Sequence, residues 1–243
     1  MKYLRSIAVF ILTLISLNAN ANLIQNGTFD TCDYTGWQKD TDGAGDVSLG
    51  NDFEIFDNGR VCSAAISVDY FDPDGDPFGF PVSEAFFANT LFQGLDFTGS
   101  VESTFELTFD LHAASQSDSN NPLFIADYFL VGLNDGLGNY YDETGSLGFL
   151  VAPTDIDAFY SNTFTFNLDS SFLNQTGWFL DFQLNIGWDD ISGLSDAYGS
   201  TLYVSNVSMV EVKAPVSEVP EPSTLAIFAL GLVGLLNRRN SIK

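Results

Sequence analysis

Carboxylates are concentrated in one short, turn-forming segment of the sequence. Asp69, Asp72, Asp74 and Asp76 lie within eight residues, interrupted by a proline and a glycine. Calcium takes six to eight oxygen ligands, and four carboxylates with neighbouring backbone carbonyls are a suitable set. The segment therefore predicts a calcium site, the one cofactor for which the sequence gives an indication. A turn rich in Asp, Gly and Pro that is simply hydrated is the open alternative.

Aromatic residues next to polar loops indicate a second kind of chemistry, the binding of sugars. Trp37 follows a glycine, and Trp188 is followed directly by Asp189 and Asp190. An aromatic ring stacks on a sugar while carboxylates and amides bind its hydroxyl groups, so these residues are candidate ligand contacts. Packing in the core is the alternative interpretation for any one of them.

Catalytic motifs are not evident. The chain has one histidine, His112, with no serine or cysteine nucleophile motif beside it, so zinc-hydrolase and triad chemistry have no support. Two carboxylates are enough for glycoside hydrolysis, but 31 acidic residues between positions 22 and 219 nominate no particular pair. We expect a protein that is not an enzyme.

The charge of the chain excludes several partners. Between positions 22 and 219 there are three basic residues against 31 acidic ones, a formal net charge of −28 over 198 residues. Such a segment repels phosphates, so nucleic acids and anionic membrane surfaces are excluded as partners. Cations, neutral sugars and basic or cationic matrix components remain suitable partners, and solubility alone also explains much of the charge.

The elements that must position these residues are strands. Polar and apolar residues alternate with a period of two over 61–68, 105–112, 163–169, 178–188 and 202–212, and 127–133 is apolar on both faces. The alternation in the last segment shifts near Asn206, which predicts a β-bulge. Several strands separated by Gly-, Asn- and Asp-rich turns predict an all-β fold, an antiparallel β-sandwich.

The two ends of this region carry a family resemblance. The opening Asn22-Leu23-Ile24-Gln25-Asn26-Gly27-Thr28-Phe29-Asp30, followed by Gly36-Trp37, resembles the start of galactose-binding-like jelly rolls, and Val207-Ser208 resembles their closing strand. Asp30 stands where that family usually has Glu. The resemblance implies a jelly-roll-like sandwich, and it is compatible with sugar binding because the family includes carbohydrate-binding modules, adhesins and structural domains.

The two cysteines and the N-terminus indicate export. Lys2 and Arg5 precede an apolar stretch that ends at Ala19-Asn20-Ala21, the pattern of a signal helix cleaved after Ala21. Cys32 and Cys62 are an even pair in an exported chain, which predicts a disulfide bond.

The C-terminus has three parts in order. The prolines of Val219-Pro220-Glu221-Pro222 predict an extended segment, the apolar run 225–236 predicts a helix, and Arg238-Arg239 follows in the sequence. This order resembles the PEP-CTERM signal of exported bacterial proteins, which implies an exosortase-type membrane protease as partner and cleavage near the Pro-Glu-Pro. The apolar helix is short for a bilayer, and a core helix is the alternative.

We therefore predict a signal peptide at 1–21, a β-sandwich domain at 22–213, a linker at 214–219 and a sorting tail at 220–243. The tail would hold the protein in the inner membrane transiently before it reaches the cell surface or extracellular space. The resemblance associates such proteins with exopolysaccharide, so we expect a polysaccharide-binding component of a biofilm matrix. A purely structural matrix protein is the first alternative, and a polysaccharide-degrading enzyme is the second.

Overall fold

The computed structural model describes residues 22–46, 52–68, 88–97, 104–115, 126–156, 158–169, 173, 177–187 and 199–212. The chain divides into two compact units, Met1–Val212 and Lys213–Lys243. The predicted signal peptide, the Asp69–Asp76 segment, Trp188-Asp189-Asp190, the linker and the sorting tail lie outside the described residues.

Eleven strands are found in the described residues. They are β1 (Gln38–Thr41), β2 (Phe53–Asp57), β3 (Cys62–Val68), β4 (Ala88–Leu95), β5 (Thr104–Ser115), β6 (Tyr128–Asn134), β7 (Tyr140–Tyr141), β8 (Val151–Asp155), β9 (Phe159–Asp169), β10 (Trp178–Asn185) and β11 (Ser200–Val212). Each of the five segments predicted from alternation, and the apolar segment 127–133, contains a strand, which confirms the all-β prediction.

The strands form two antiparallel sheets. One sheet has the order β1-β4-β10-β6-β7, with β8 also paired to β6, and the other has the order β2-β3-β11-β5-β9. Buried apolar residues from both sheets make one continuous core, in which the rings of Phe109 and Phe182 meet edge to face with centroids 5.1 Å apart. The fold is therefore an antiparallel β-sandwich of the jelly-roll kind, as predicted.

Strand β4 lies between β1 and β10 in its sheet, although alternation does not predict it. The inward face of β4 mixes polar and apolar residues, because Asn89 and Gln93 are buried on the same face as Leu91. They therefore interrupt the apolar pattern. Asn89 accepts a hydrogen bond from Thr41 Oγ1 at 2.8 Å and donates to the carbonyl of Ser67 at 2.7 Å. These bonds offset the cost of burying polar groups, and they come from residues distant in sequence.

The opening of the domain is held against its last strand. Leu23 N donates to Met209 O at 2.8 Å, and Val207 N donates to Gly27 O at 2.9 Å. A Cβ at Gly27 would lie 1.9 Å from Val207 O, so only glycine permits this approach. The two segments that carry the jelly-roll resemblance thus contact each other in the structure.

The predicted disulfide bond and the predicted bulge are both present. Cys32 and Cys62 are bonded, with Cα atoms 5.4 Å apart, and closing this loop stabilises the fold by about 3–4 kcal/mol in the chain-entropy model. The pairing of β11 with β5 shifts register between Ser205 and Ser208, and Asn206 has a φ of 52°. The Asn206 bulge is confirmed.

A buried carboxylate ties three strand ends together. Asp127 immediately precedes β6, and its side chain is 8% exposed. Its Oδ1 accepts a hydrogen bond from Gly187 N at 2.7 Å, and its Oδ2 accepts one from Ser200 Oγ at 2.6 Å. Its carbonyl accepts a further bond from Ile156 N at 2.8 Å. Asp127 therefore fixes the chain just after β10, at the start of β11 and just after β8.

Candidate functional site: a groove across the six-stranded sheet

A groove of about 410 Å³ crosses the outer face of the six-stranded sheet. We call it the six-strand groove. It is lined by Asp40, Asp42, Gly43, Ala88, Thr90, Phe92, Asn134, Gly136, Tyr140, Phe179, Asp181, Gln183 and Asn185. Carboxylates, amides, two hydroxyls and three aromatic rings thus share one concave surface, and no basic residue is among these described lining residues.

Strand register brings these side chains together. Residues that are directly opposite on neighbouring strands share a face, and Asp40, Thr90 and Gln183 form one such row. Phe92 and Asp181 are partners in the next row, and Phe179 and Asn134 are partners in the row after that. The groove is therefore built from the outward positions of β1, β4, β10 and β6.

Asp181 is a buried carboxylate at the floor of the groove. Its side chain is 4% exposed, and its Oδ2 accepts hydrogen bonds from Asn134 Nδ2 and from the Tyr140 hydroxyl, each at 3.0 Å. Burial raises the pKa of Asp181, and the nearby Asp40 charge acts in the same direction. The two hydrogen bonds oppose this shift without cancelling it. Asp181 is thus a fixed acceptor whose negative charge is poorly solvated.

Tyr140 crosses the sheet because Gly132 leaves room for it. A Cβ at Gly132 would lie 2.4 Å from the ring atom Cδ1 of Tyr140. Burial raises the pKa of the Tyr140 hydroxyl, and the negative charge of Asp181 raises it further. The hydroxyl therefore stays protonated and remains a donor to Asp181.

The turn between β6 and β7 sets the position of Tyr140. Asp135 Oδ1 accepts bonds from the backbone N–H groups of Leu137 at 2.8 Å and Asn139 at 3.1 Å. Its Oδ2 accepts one from the Asn139 side chain at 2.8 Å, and this bond makes the largest contribution to the lowered pKa of Asp135. These bonds hold the carboxylate charged and the turn closed, so β7 begins where Tyr140 reaches the groove.

Polar groups near the other end of the groove are ordered by their neighbours. Gln183 Nε2 donates to Thr90 Oγ1 at 3.2 Å, and Asn185 Nδ2 donates to Gln183 Oε1 at 3.5 Å. Between these groups and Tyr140, the rings of Phe92 and Phe179 pack edge to face with centroids 5.8 Å apart. Half-buried rings beside oriented donors and acceptors match what a sugar presents, namely apolar C–H faces ringed by hydroxyl groups.

Among the predicted ligand contacts, Trp37 lies in the core. It is 6% exposed, its ring stacks on Phe29 with centroids 5.5 Å apart, and its Nε1 donates to Asn26 O at 3.3 Å. Its ring face is covered, which corrects the expectation of an exposed platform. The structure therefore gives Trp37 no part in the six-strand groove. Strand β10 ends at Asn185, and the described residues continue to Gly187. The next residues in the sequence are the other predicted contacts, Trp188, Asp189 and Asp190.

The calcium prediction concerns Asp69, Asp72, Asp74 and Asp76, which lie outside the described residues. Across the described ranges, no three His, Cys, Asp or Glu side chains are grouped to hold a metal ion. In the same part of the chain, no helix reaches the length and hydrophobicity that a membrane span needs.

Sequence reasoning did not identify Asp181, Asn134, Phe92, Phe179 or Gln183 as site residues. The signal was partly available, because the alternation of β10 that places Leu180 and Phe182 inward also places their neighbours outward. What the sequence did not contain was the partner of each outward residue on the adjacent strand.

Comparison with known proteins identifies the tail and finds distant likenesses for the sandwich. The PEP-CTERM protein-sorting motif matches residues 218–240. No curated protein matches the sequence.

Several solved structures are similar at low identity. The family 16 carbohydrate-binding module-2 is 14% identical, with a TM-score of 0.40, and the match covers 78% of this chain and all of that one. The Caldicellulosiruptor saccharolyticus CBM27-1, solved with mannohexaose, is 13% identical with a TM-score of 0.37, covering 80% of this chain and 97% of that one. The enzymatically active domain of bacteriophage CBA120 tailspike protein 4 is 12% identical with a TM-score of 0.39; the match covers 79% of this chain and only 21% of the tailspike chain.

The sorting motif is the specific match, since it coincides with the Pro-Glu-Pro, apolar and Arg-Arg order of the C-terminus. The chain is an exported protein that carries a PEP-CTERM protein-sorting motif at its C-terminal end.

Proposed function

We propose that this protein is a non-catalytic surface or matrix component that binds a neutral polysaccharide in the six-strand groove. The observation that carries the proposal is the union of three aromatic rings, from Phe92, Phe179 and Tyr140, with the fixed acceptor Asp181 on one open face. A groove open along the sheet accepts an internal segment of a long chain as readily as its end.

The charge of the domain favours a neutral ligand. The groove contains Asp40, Asp42 and Asp181, and the region from 22 to 219 has a net charge of −28. An anionic polysaccharide would be repelled by this field, whereas uncharged hydroxyl groups donate well to carboxylates. The preferred ligand is therefore an uncharged polysaccharide.

Binding is tested with the purified exported protein by affinity electrophoresis in gels that contain galactomannan, hydroxyethyl cellulose or alginate. We expect retardation by a neutral polymer and none by alginate. Phe92→Ala and Asp181→Asn should each lower the affinity for the polymer, read from the retardation, about tenfold or more. Each removes roughly one stacking or hydrogen-bonding contact. Phe159→Ala is the matched control, because Phe159 is 73% exposed on the other sheet and does not line the groove. Wild-type protein that no neutral polymer retards would point to a purely structural matrix protein.

The sorting motif supports a proposed route to the surface. An exosortase-type membrane protease would cut near Pro220-Glu221-Pro222 after the apolar segment has held the chain in the inner membrane. Intact-mass spectrometry of cell-associated and released fractions tests this step. We expect released protein to begin at Asn22 and to end between Val219 and Pro222. An uncut C-terminus in every fraction would refute processing.

Hydrolysis of a polysaccharide is the second candidate, favoured by one observation. Asp181 has a raised pKa and shares the groove with Asp40, and a general acid paired with a second carboxylate is the chemistry of glycosidases. Prolonged incubation with the bound polymer, followed by assay of reducing ends, separates the two candidates. Release of sugar that Asp181→Asn abolishes while binding persists would replace the binding proposal.

A further inference from the structure

The outer face of the five-stranded sheet carries a groove of its own, also of about 410 Å³. We call it the five-strand groove. Its lining residues come from β2, β3, β5 and β11 and from the turn between β2 and β3. They are Phe56, Asn58, Val61, Cys62, Ser63, Asp110, His112, Tyr203, Ser205 and Asn206. None of these described residues lines the six-strand groove, because the two grooves lie on opposite outer faces of the sandwich.

Two aromatic rings form one side of the five-strand groove. Phe56 and Tyr203 meet edge to face, with centroids 5.2 Å apart and planes at 65°. Phe56 is 48% exposed and its neighbour Val61 is 58% exposed, so a large apolar surface faces solvent. The core does not need these side chains, since inward positions of the same strands already fill it. An exposed apolar patch rimmed by polar groups is typical of an interaction surface, including a ligand-binding groove.

A fixed carboxylate forms the other side. Asp110 Oδ1 accepts a hydrogen bond from Thr163 Oγ1, and Asp110 Oδ2 accepts one from Asn206 Nδ2, both at 2.6 Å. Each oxygen retains a further lone pair, so the carboxylate can accept from a ligand hydroxyl without losing its support. The exposed His112 lies two positions further along the same face of β5.

The β11 bulge aims one of these supporting groups. Asn206 has a φ of 52°, and the bulge rotates its side chain from the alternation of β11 onto Asp110. The bulge also allows Val207 to bond to Gly27, which gives it a structural role. That role does not account for the Asn206–Asp110 bond or for the exposed rings across the groove.

We propose that the five-strand groove is a second carbohydrate site, so that one domain cross-links two neutral polysaccharide chains. The proposal rests on the proposed function, because the ligand chemistry is that of the six-strand groove: a pair of aromatic rings packed edge to face, with an oriented carboxylate and amide beside them. Since the core separates the two outer faces, one short sugar segment cannot contact both grooves. Two occupied sites therefore join two chains, or two distant segments of one chain, and convert a binding module into a network junction.

Stoichiometry tests the proposal. Isothermal titration of the purified exported protein with cellohexaose and with mannohexaose should give two sites for the hexasaccharide that binds. Tyr203→Ala should weaken one site about tenfold or more, so that the titration no longer detects it, and Phe92→Ala should do the same to the other site. The double variant should show no measurable binding. His112→Ala is the second five-strand variant, because its exposed side chain can be removed without disturbing the core; it should weaken one site severalfold. Phe159→Ala, on the same outer face but outside the groove, should keep both sites.

Viscosity provides a readout of cross-linking. Wild-type protein should raise the viscosity of a galactomannan or hydroxyethyl cellulose solution, whichever polymer binds, and each single-groove variant should bind that polymer without raising its viscosity. One site that resists Tyr203→Ala and His112→Ala but is lost in Phe92→Ala would overturn the second site and leave the proposed function standing. One site lost only in the five-strand variants would overturn the six-strand groove and, with it, cross-linking. Absence of any binding would overturn both proposals.

Discussion

Strand β10 presents two unlike rows of side chains to the two sides of its sheet. Leu180, Phe182 and Leu184 are completely buried against the other sheet, whereas Phe179, Asp181 and Gln183 face the six-strand groove. The inward row is uniform and has one purpose, the exclusion of water. The outward row is mixed, and each member acts through a neighbour on another strand. The inward side of β10 thus serves folding, whereas its outward side forms part of the proposed binding surface.

The largest expected contrast between stability and binding comes from replacing one phenylalanine in each row by alanine. Phe182 is completely buried and contacts the rings of Trp37 and Phe109, so Phe182→Ala should lower the free energy of unfolding by about 3–5 kcal/mol. Phe179 is only half-buried, so Phe179→Ala should cost about 1 kcal/mol but weaken polysaccharide binding about tenfold. Urea unfolding and affinity electrophoresis measure the two effects. Equal destabilisation by both variants would remove the distinction between the rows.

A smaller effect on stability and binding is expected at Gly132, because the Tyr140 ring occupies the space that a side chain there would fill. Gly132→Ala places a methyl group against the Tyr140 ring, which must move away from Asp181, at a cost of about 1–3 kcal/mol. Binding should fall with the loss of the ring's position. Gly94→Ala is the matched control on the same face, since its Cβ would be 3.6 Å from Phe179, an ordinary contact. If both glycine variants bind as the wild type does, Tyr140 does not shape the groove.

The smallest expected effect is a pH dependence of stability. The pKa of Asp181 is raised in the folded protein, so its contribution to stability is complete below the unfolded pKa of about 3.9 and is lost as the pH rises through the folded pKa. Asp181→Asn does not titrate. Its melting temperature relative to the wild type should therefore increase between pH 3.5 and pH 7.

Calorimetry of the two proteins across this range provides the measurement. Asp33, Asp135 and Asp142 have lowered pKa values and stabilise both proteins less as the pH falls, so their effects cancel in the difference. A melting-temperature difference that is independent of pH would contradict the raised pKa of Asp181 in the folded protein.

The sequence predicts the inward rows well because burial on one face imposes a period of two on each strand. It also predicts the Asn206 bulge, where that period shifts, and the Cys32–Cys62 bond, because only one pairing exists. It does not predict β4, since the inward Asn89 and Gln93 are satisfied by hydrogen bonds from other parts of the chain.

The candidate site was harder to predict for a related reason. Trp37 stands among turn residues in the sequence, yet the turns at Asn26 and Phe29, both with positive φ, bring it into the core. The six-strand groove needs lateral pairings between strands that are far apart in the chain, such as Phe92 with Asp181. A single sequence states which residues are outward but not which of them are neighbours.

The carboxylate of Asp127 fixes two points of the chain, and we expect the sequence between them to be exchangeable. Residues 188–199 start next to Gly187 and finish next to Ser200, and both of these residues donate to the two oxygens of that one side chain. Because Gly187 and Ser200 are fixed to the same side chain, lengthening the chain between them should cost only about 0.6 kcal/mol of loop-closure free energy per doubling of its length. A library of sequences grafted between Gly187 and Ser200 should therefore leave the sandwich folded.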